Sequence, residues 1–229
     1  ANILELSKIF CIENLIYASS SSVYGENKKV PFLESDSVNY PVNLYAATKR
    51  SNELMAISYS HLFNIPSTCL RFFTVYGPWG RPDMAPMLFT KSILNSESLK
   101  IFNHGIMKRD FTFIDDIIEA IFKCTYKPAT PSDKFDALNI DPDKIKAPHR
   151  IFNIGYGKSI ELMYFINLIE KYLGLSAKID FLEMQPGELL ETLSDTNALK
   201  EWIDYSPKIS IEDGIKKFLN WYLSYYEKK

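Results

Sequence analysis

The sequence predicts an α/β protein built on a parallel sheet. Patterns typical of helices alternate with short apolar runs typical of buried strands, and this alternation favours parallel pairing. The chain has 229 residues, of which 46% are hydrophobic and 24% are charged, as in ordinary globular proteins. It can therefore bury a substantial core, as one domain or as two closely packed ones.

Apolar patterning and turn residues place the elements along the chain. In order, they are the end of a helix at 1–12, a strand at 14–18, helix 43–62, strand 67–73, helix 84–96, strand-like pieces at 99–102 and 110–113, helix 115–126, strand 150–154, helix 159–173, strand 177–182, and helices near 195–203 and 210–226. The Pro- and Asp-rich stretch 127–149 predicts a surface loop. We find no internal repeat.

Charge and hydropathy argue against several classes of function. A net charge of −2 and a pI near 6.0 do not indicate a basic surface that would bind nucleic acid or a membrane. No apolar stretch approaches the length of a membrane span, and the amino end lacks a basic region followed by a hydrophobic core. We therefore expect a cytoplasmic protein that binds neither nucleic acid nor membrane.

Cysteine and histidine usage predicts neither disulfides nor a metal site. The cysteines are odd in number, widely spaced and set among apolar residues, which predicts reduced, buried thiols at Cys11, Cys69 and Cys124. The chain has only three histidines, and no two of them have the spacing of metal ligands.

A short apolar run near the amino end leads into a polar turn. In LIYASSSSVYG, residues 15–25, the apolar residues precede four serines, Ser19–Ser22, as in a buried strand that ends in a turn. Ligands of open parallel sheets bind beyond the carboxyl ends of the strands, so we expect these hydroxyls at a binding site. The alternative is a flexible serine loop, which fits poorly with the apolar residues on both sides.

The segment NLYAATKRSNE, residues 43–53, places Tyr45 and Lys49 on one face of a helix. Side chains at i and i+4 are neighbours, so this phenol and ammonium should converge. Asn43 is a suitable N-cap for the helix, which should end before Pro66. The spacing alone is weak, because short patterns recur by chance, and a half-buried tyrosine beside a solvated lysine is the ordinary alternative.

Six segments together resemble the extended short-chain dehydrogenase/reductase family of nucleotide-sugar enzymes, and most closely the UDP-glucuronate 4-epimerases. They are ASSSSVYG, PVNLYAATK, LRFFTVYGPWGRPDMAP, RDFTFIDDI, FNIG and QPGE, in that order. The resemblance implies the C-terminal portion of a Rossmann-type parallel sheet with a smaller mixed α/β substrate-binding lobe. Residues 1–98 would belong to the NAD-binding domain and residues 99–229 mainly to the nucleotide-sugar lobe, with the chain crossing between them.

The resemblance also predicts an absence. Family members begin with a strand, a GxxGxxG turn and a helix, which bring backbone N–H groups to the cofactor pyrophosphate, and nothing in this sequence matches them. We therefore expect a fragment that lacks roughly 100 amino-terminal residues, the size of two or three βα units. Gly155 and Gly157 offer a late GxG without the third glycine, which we interpret as a decoy.

The resemblance implies a catalytic arrangement at the strand end. Tyr45 would remove the proton of the sugar 4-hydroxyl while NAD takes the hydride from C4, and Lys49 would stabilise the phenolate and bind the nicotinamide ribose. Ser20 matches the serine or threonine that hydrogen-bonds the reacting oxygen, with Ser21 and Ser22 in the same turn. Besides Tyr45 and Lys49, the implied cofactor contacts are Ala18, Ser19, Phe72, Phe73 and Val75.

The absence of a carboxylate from the serine turn argues against two related activities. In the 4,6-dehydratases the matching turn carries an Asp-Glu pair, and the UDP-glucuronate decarboxylases have a glutamate at the position of Ser22. Arg81, in GRPDM, matches the family position that grips the uronate carboxylate, and Thr74 is a second substrate contact. The ordinary alternative for Arg81 is a loop arginine paired with Asp83.

The nucleotide end of the implied substrate site lies in the second half of the chain. Arg109 matches the arginine that pairs with the diphosphate, and its alternative is a salt bridge to Asp110. Gln185 and Glu188 match residues near the diphosphate and the uridine ribose, although the family usually has aspartate at the last position. Asp115 and Asp116 are instead expected to cap the helix that follows them.

Three functions stay open from the sequence. The first is an NAD-dependent UDP-glucuronate 4-epimerase that makes UDP-galacturonate for surface polysaccharide; the second is a related epimerase acting on a neutral UDP-sugar. The third is a non-catalytic remnant that binds a UDP-sugar or a partner. The resemblance also implies a homodimer through helices 1–12 and 43–62, and the unpaired edge of the strand at 14–18 should promote self-association.

Overall fold

The computed structural model describes residues 1–139, 141, 144–184 and 189–226. The helices in these residues are α1 Asn2–Ile9, α2 Leu44–Phe63, α3 Ala85–Leu94, α4 Ile114–Thr125, α5 Leu162–Leu173, α6 Asn197–Ile203 and α7 Ile211–Tyr226. The strands are β1 Leu15–Ser20, β2 Ser67–Phe72, β3 Thr74–Tyr76, β4 Ser98–Ile101, β5 Lys108–Phe113, β6 His149–Ile154, β7 Ser159–Glu161 and β8 Lys178–Phe181. None of these helices is long and apolar enough to cross a bilayer.

The first sheet is parallel, as the sequence predicts, with the order β1-β2-β6. Side chains of successive strand residues point to opposite faces, and β2 uses both faces. Leu70 packs in a buried cluster with Ile117 of α4 and Leu199 of α6, whereas Arg71 reaches Glu53 of α2. The sheet is therefore covered by α2 on one face and by α4 and α6 on the other.

The remaining strands form two further sheets, one of three strands and one of two. β3 pairs parallel with β5, β5 pairs antiparallel with β7, and β4 pairs parallel with β8. A buried cluster joins these strands to α3, α5 and α7, and the rings of Phe111 and Phe165 stack within it at 4.3 Å. This arrangement confirms the expected mixed α/β portion, while the domain boundary between residues 98 and 99 stays a prediction.

The differences from the predicted elements lie in short pieces of chain. β3 and β7 have three residues each, too few for a periodic pattern. The helix predicted at 159–173 begins only at Leu162, because β7 precedes it. The described part of the predicted loop, residues 127–139, 141 and 144–148, contains neither helix nor strand.

Cys11 corrects the prediction of three buried thiols. Cys69 and Cys124 are buried, but Cys11 is exposed, and all three are free. Cys11 follows the end of α1 in a left-handed conformation with φ of 48°, so its side chain lies outside the packed face of the helix.

The capping role expected of Asp115 and Asp116 is also wrong. Both lie inside the first turn of α4, which begins without a side-chain cap. The buried Asp116 carboxylate accepts hydrogen bonds from the Tyr205 hydroxyl at 2.7 Å and from the backbone N–H groups of Lys208 and Ile209 at 3.0 and 2.9 Å. It therefore anchors the segment that leads into α7.

Candidate active site

The carboxyl end of β1 meets the amino-terminal half of α2. Asn43 caps the helix as predicted, since its Oδ1 accepts the Ala46 N–H at 2.8 Å. Tyr45 and Lys49 follow one turn apart, with Lys49 Nζ 5.7 Å from the centre of the Tyr45 ring. Lys49 Nζ also donates to the Ala18 carbonyl oxygen at 3.0 Å. The phenol and the ammonium therefore converge beside the strand end.

The serine turn places the Ser20 hydroxyl at the end of β1 and the Ser19 hydroxyl in the core. Ser20 Oγ accepts the Ser22 N–H at 3.2 Å and donates to Ser22 Oγ at 3.1 Å, capping the 3₁₀ turn Ser21–Tyr24. Ser19 is buried, and its Oγ donates to Glu53 Oε1 at 2.6 Å. The Ser19 side chain thus belongs to the interior, so only the backbone of Ser19 is left for the predicted contact with a cofactor.

A buried ion pair beneath Tyr45 ties α2 to the first sheet. Arg71 Nε and Nη2 donate to the two oxygens of Glu53 at 2.9 Å each, and both side chains are fully buried. Arg50 adds a bond of 2.9 Å to the same carboxylate, and Arg71 Nη1 donates to the Tyr24 hydroxyl at 3.1 Å. Burial alone would raise the pKa of Glu53, but the hydrogen bonds and charge of Arg71 outweigh it and lower that pKa.

This ion pair is absent from the residues predicted from the sequence, although two signals in the sequence point to it. Glu53 lies eight residues after Tyr45, which places both on the same helical face as Lys49. Arg71 interrupts the otherwise apolar end of β2, and an arginine within a buried strand requires an acidic partner.

The loop between β3 and α3 presents Arg81 at the surface. Its Nε and Nη2 donate to the Asp83 carboxylate at 3.1 and 2.5 Å, and the two side chains are 74% and 65% exposed. The hydrogen bonds with Asp83, and its negative charge, raise the pKa of Arg81. This is the Asp83-paired arrangement that the sequence left open as the alternative.

Two predicted substrate residues meet at one cavity. Thr74 from β3 and Arg109 from β5 line a cavity of about 410 Å³ together with Asp83 and Lys100. The parallel pairing of Thr74 with Phe111 brings these strands side by side, which explains the meeting of residues far apart in sequence. The cavity thus extends from the Arg81 loop toward Arg109 and carries two cationic side chains suited to an anionic ligand.

Arg109 is oriented by backbone carbonyl groups. Its Nη1 donates to the carbonyl oxygens of Lys108 at 2.9 Å and of Leu190 at 3.4 Å. Leu190 follows the QPGE segment, whose Gln185 and Glu188 lie outside the described residues. Their predicted roles therefore stay predictions.

The late glycine pair serves the chain itself. The buried Asp110 carboxylate accepts the backbone N–H groups of Tyr156 and Gly157 at 2.8 and 3.1 Å, and Ser194 Oγ donates to it at 2.5 Å. A Cβ on Gly155 would collide with Asp110 and Ser194. Burial raises the pKa of Asp110 in spite of these hydrogen bonds. The anion that this turn binds is therefore the Asp110 carboxylate. This agrees with the interpretation that the Gly155–Gly157 pair is not a cofactor-binding motif.

The predicted apolar cofactor contacts differ in exposure. Phe72 at the end of β2 and Val75 in β3 are partly exposed, but Phe73 is buried. The Phe73 ring lies 6.4 Å from Tyr24 and 6.1 Å from Phe32 in a small aromatic cluster. Contacts of these side chains with a cofactor stay predictions.

Comparison with known protein families and sequences gives several matches. The model of the NAD dependent epimerase/dehydratase family matches residues 1–141. Protein CapI of Staphylococcus aureus is 52% identical over 227 residues, which cover 99% of this chain and 68% of that protein. A probable UDP-glucuronate 4-epimerase of Rhizobium meliloti is 42% identical over 233 residues, covering 99% of this chain and 67% of the relative.

Comparison with solved structures agrees with the sequence matches. A UDP-glucuronic acid 4-epimerase from Bacillus cereus, in complex with UDP-glucuronic acid and NAD, is 33% identical with a TM-score of 0.83. The similarity covers 98% of this chain and 66% of that one. The chain thus spans about two thirds of the length of the relatives that it matches.

Proposed function

This chain belongs to the NAD-dependent epimerase/dehydratase family, and we propose that it forms the reacting end and the substrate lobe of a UDP-glucuronate 4-epimerase. The observation that carries the proposal is the convergence of Tyr45 and Lys49 at the carboxyl end of β1. A phenol beside an ammonium suits removal of the proton from a sugar hydroxyl, and the exposed Arg81 guanidinium is the candidate partner for a substrate carboxylate.

Tyr45 is the proposed base for the sugar 4-hydroxyl. The Lys49 ammonium stabilises the phenolate electrostatically, and Ser20 and Ser22 supply hydroxyls for the oxygen that loses its proton. Bound NAD supplies reversible hydride acceptance at C4. The residues proposed to hold its nicotinamide end are Tyr45, Lys49, Ala18, Ser19, Phe72, Phe73 and Val75.

Arg81 is the proposed determinant of uronate recognition. A 4-keto uronic acid is a β-keto acid, which loses carbon dioxide once its carboxylate rotates out of the plane of the ring carbonyl. A guanidinium can hold a carboxylate in a fixed plane through two hydrogen bonds, and Arg81 already makes this geometry with Asp83. We propose that the substrate carboxylate replaces Asp83 as the partner of Arg81. Thr74, Arg109, Gln185 and Glu188 are proposed to continue the site toward the diphosphate and uridine.

A second candidate is an epimerase of a neutral UDP-sugar. The Arg81–Asp83 pair favours it, because a guanidinium that keeps its own carboxylate partner is not available for a uronate. In that case Arg81 stabilises the loop and does not select the substrate.

The oligomeric proposal is a homodimer through α1 and α2. The two helices contact each other through the Tyr59 hydroxyl, which donates to Glu5 at 3.0 Å. They also expose large apolar side chains, including Ile3, Ile9, Leu54 and Leu62, at 50 to 68% of their surface. A second copy that covers this surface would bury it from water.

The test uses an extended protein, defined as this chain fused behind the third of the Staphylococcus aureus relative that the chain does not match. We expect it to convert UDP-glucuronate to UDP-galacturonate. Arg81→Ala should weaken UDP-glucuronate binding and release carbon dioxide with a UDP-pentose, because the carboxylate is no longer held in plane. Lys200→Ala, on the exposed surface of α6, is the matched control.

Product analysis separates the candidates. Carbon dioxide release in the Arg81 variant alone supports uronate recognition. Epimerisation of UDP-glucose that survives Arg81→Ala, without turnover of UDP-glucuronate, supports the neutral-sugar enzyme. Absence of any turnover in the unaltered extended protein contradicts both epimerase proposals and leaves sugar binding without catalysis.

A further inference from the structure

Trp79 occupies a backbone conformation that a bulky residue rarely adopts. Its φ is +62°, in the left-handed region, although it is not glycine and its side chain is 72% exposed. A large side chain in this region crowds its own backbone, so the conformation persists only where surrounding contacts hold it. Trp79 lies two residues before Arg81, in the loop between β3 and α3.

The contacts that hold Trp79 come from the last helix. Its ring lies 5.4 Å from Trp221 and 4.9 Å from Tyr225, centre to centre, in tilted and edge-to-face orientations. Trp221 and Tyr225 are themselves stacked at 5.6 Å and 14°, one helical turn apart on α7. Edge-to-face rings attract each other beyond simple burial, so this three-ring clamp (Trp79, Trp221 and Tyr225) offsets the backbone cost.

α7 packs closely against the strand that leads into the loop. Gly214 lies so close to Tyr76 that a Cβ would collide with the Tyr76 hydroxyl, and Tyr76 immediately precedes the loop. The Tyr76 ring is buried against Phe113 and Phe165. The loop therefore contacts α7 at two places, through Tyr76 just before it and through Trp79 within it. Only Gly80 separates Trp79 from Arg81.

We propose that the three-ring clamp positions Arg81, so that α7 sets the preference of the site for a uronate over a neutral sugar. Trp79 is a positioning residue in this proposal and contacts no reacting atom. When the clamp is lost, Trp79 can relax to a negative φ. This change alters the direction of the backbone that follows, and the Arg81 guanidinium moves with it. The inference rests on the proposed role of Arg81 in binding the substrate carboxylate.

The test uses the full chain with Trp221→Leu and Tyr225→Leu, which leave the loop sequence unchanged. In the single variant Tyr225→Leu, which keeps both indoles, loss of the exciton couplet of Trp79 and Trp221 in circular dichroism reports that the clamp is open. Calorimetry with UDP-glucuronate and UDP-glucose should then show that the affinity ratio falls by about tenfold, the size of effect that positioning residues carry. The matched control is Phe122→Leu with Tyr126→Leu, which removes an exposed aromatic pair from α4.

A second pair of variants separates positioning from general destabilisation. Trp79→Gly removes the ring but tolerates positive φ, and it should lower the same ratio, whereas Trp79→Phe should keep most of the preference by preserving a ring contact. In an Arg81→Ala background the clamp variants should cause no further change in the ratio, because they act through Arg81.

A readout independent of sugar binding is hydrogen exchange of the loop. The N–H of Gly80 donates to the Gly77 carbonyl oxygen at 3.3 Å and that of Met84 to Arg81 at 3.1 Å. Exchange of both should accelerate when the clamp is removed. Unchanged exchange and an unchanged affinity ratio, with the couplet lost, would overturn the inference alone. Equal affinity of the unaltered chain for both sugars would overturn the proposed uronate recognition, and the inference with it.

Discussion

Tyr45 is 53% exposed at the start of α2, with its ring close to the Lys49 ammonium, so a sugar hydroxyl can approach the phenol from solvent. In the extended protein, Tyr45→Phe should lower turnover at least ~10²-fold while UDP-glucuronate still binds, because general base catalysis has that magnitude and the ring remains. Tyr40→Phe, which alters a tyrosine that is 82% exposed, is the control. Steady-state kinetics and calorimetry measure the two effects. Retained turnover in the Tyr45 variant contradicts its role as the base.

His149 makes the stability of the chain depend on pH. Burial lowers the pKa of His149 to about 4, and its Nε2 lies 2.9 Å from the Tyr17 hydroxyl. An unfolded histidine titrates near 6.5, so the unfolded state takes up the proton first as the pH falls and stability is lost from about pH 6.5 down to about 4. Between pH 7 and pH 5 the free energy of unfolding should fall by about 2 kcal/mol from this residue.

Urea unfolding at several pH values measures this loss. His149→Gln keeps a hydrogen-bonding group for Tyr17 and should reduce the dependence of the free energy of unfolding on pH. His61→Gln, on the exposed side of α2, should leave this dependence unchanged. The variants must be compared because Asp110 changes stability in the opposite direction. Burial raises the pKa of Asp110, so its contribution to the free energy of unfolding increases as the pH falls. An identical slope in the His149 variant would rule out this residue as the source.

At the scale of elements, α2 is joined to the sheet by one stripe of side chains. Lys49 bonds the Ala18 carbonyl group, and four residues later Glu53 bonds both Ser19 and Arg71. The helix therefore carries Tyr45 and Lys49, the proposed reacting residues, on the same face as Glu53. The position of Tyr45 at the strand end thus depends on the buried ion pair of Glu53 and Arg71.

Breaking that pair should be costly. Glu53→Gln leaves the buried Arg71 without its counter-charge and should reduce the free energy of unfolding by about 3–5 kcal/mol, whereas Glu53→Leu combined with Arg71→Met should cost less than the single change. Urea unfolding of the full chain measures both. Glu97→Gln, at an exposed turn after α3, is the control. A double variant less stable than the single one would show that the pair itself stabilises the fold.

For the whole molecule, we predict weak NAD binding and self-association of the isolated chain. The residues proposed for the nicotinamide end lie at the first sheet, but the chain's late glycine pair is occupied by Asp110 and offers no pyrophosphate site. Calorimetry should show an affinity weaker than micromolar. Micromolar affinity would mean that this chain completes the cofactor site in another way.

Self-association has two possible surfaces, the helices α1 and α2 and the edge of β1. Within the described residues β1 pairs only with β2, so its other edge has unpaired backbone groups. Sedimentation should give a dimer that Leu54→Lys with Leu62→Lys converts to monomer, with the loop variant Leu138→Lys as control. Aggregates that survive these changes would indicate association through β1 instead.

Local patterns in the sequence by themselves determined the parallel α/β character, the helix 43–62 with its Asn43 cap, and the convergence of Tyr45 and Lys49. These features depend on residues a few positions apart, where strand and helix geometry fixes which side chains meet. Only the tertiary structure decided that Ser19 faces Glu53, that Asp110 fills the late glycine turn, and that Trp79 packs on Trp221. Those partners are tens to more than a hundred residues apart, and packing brings them together without leaving a local pattern in the chain.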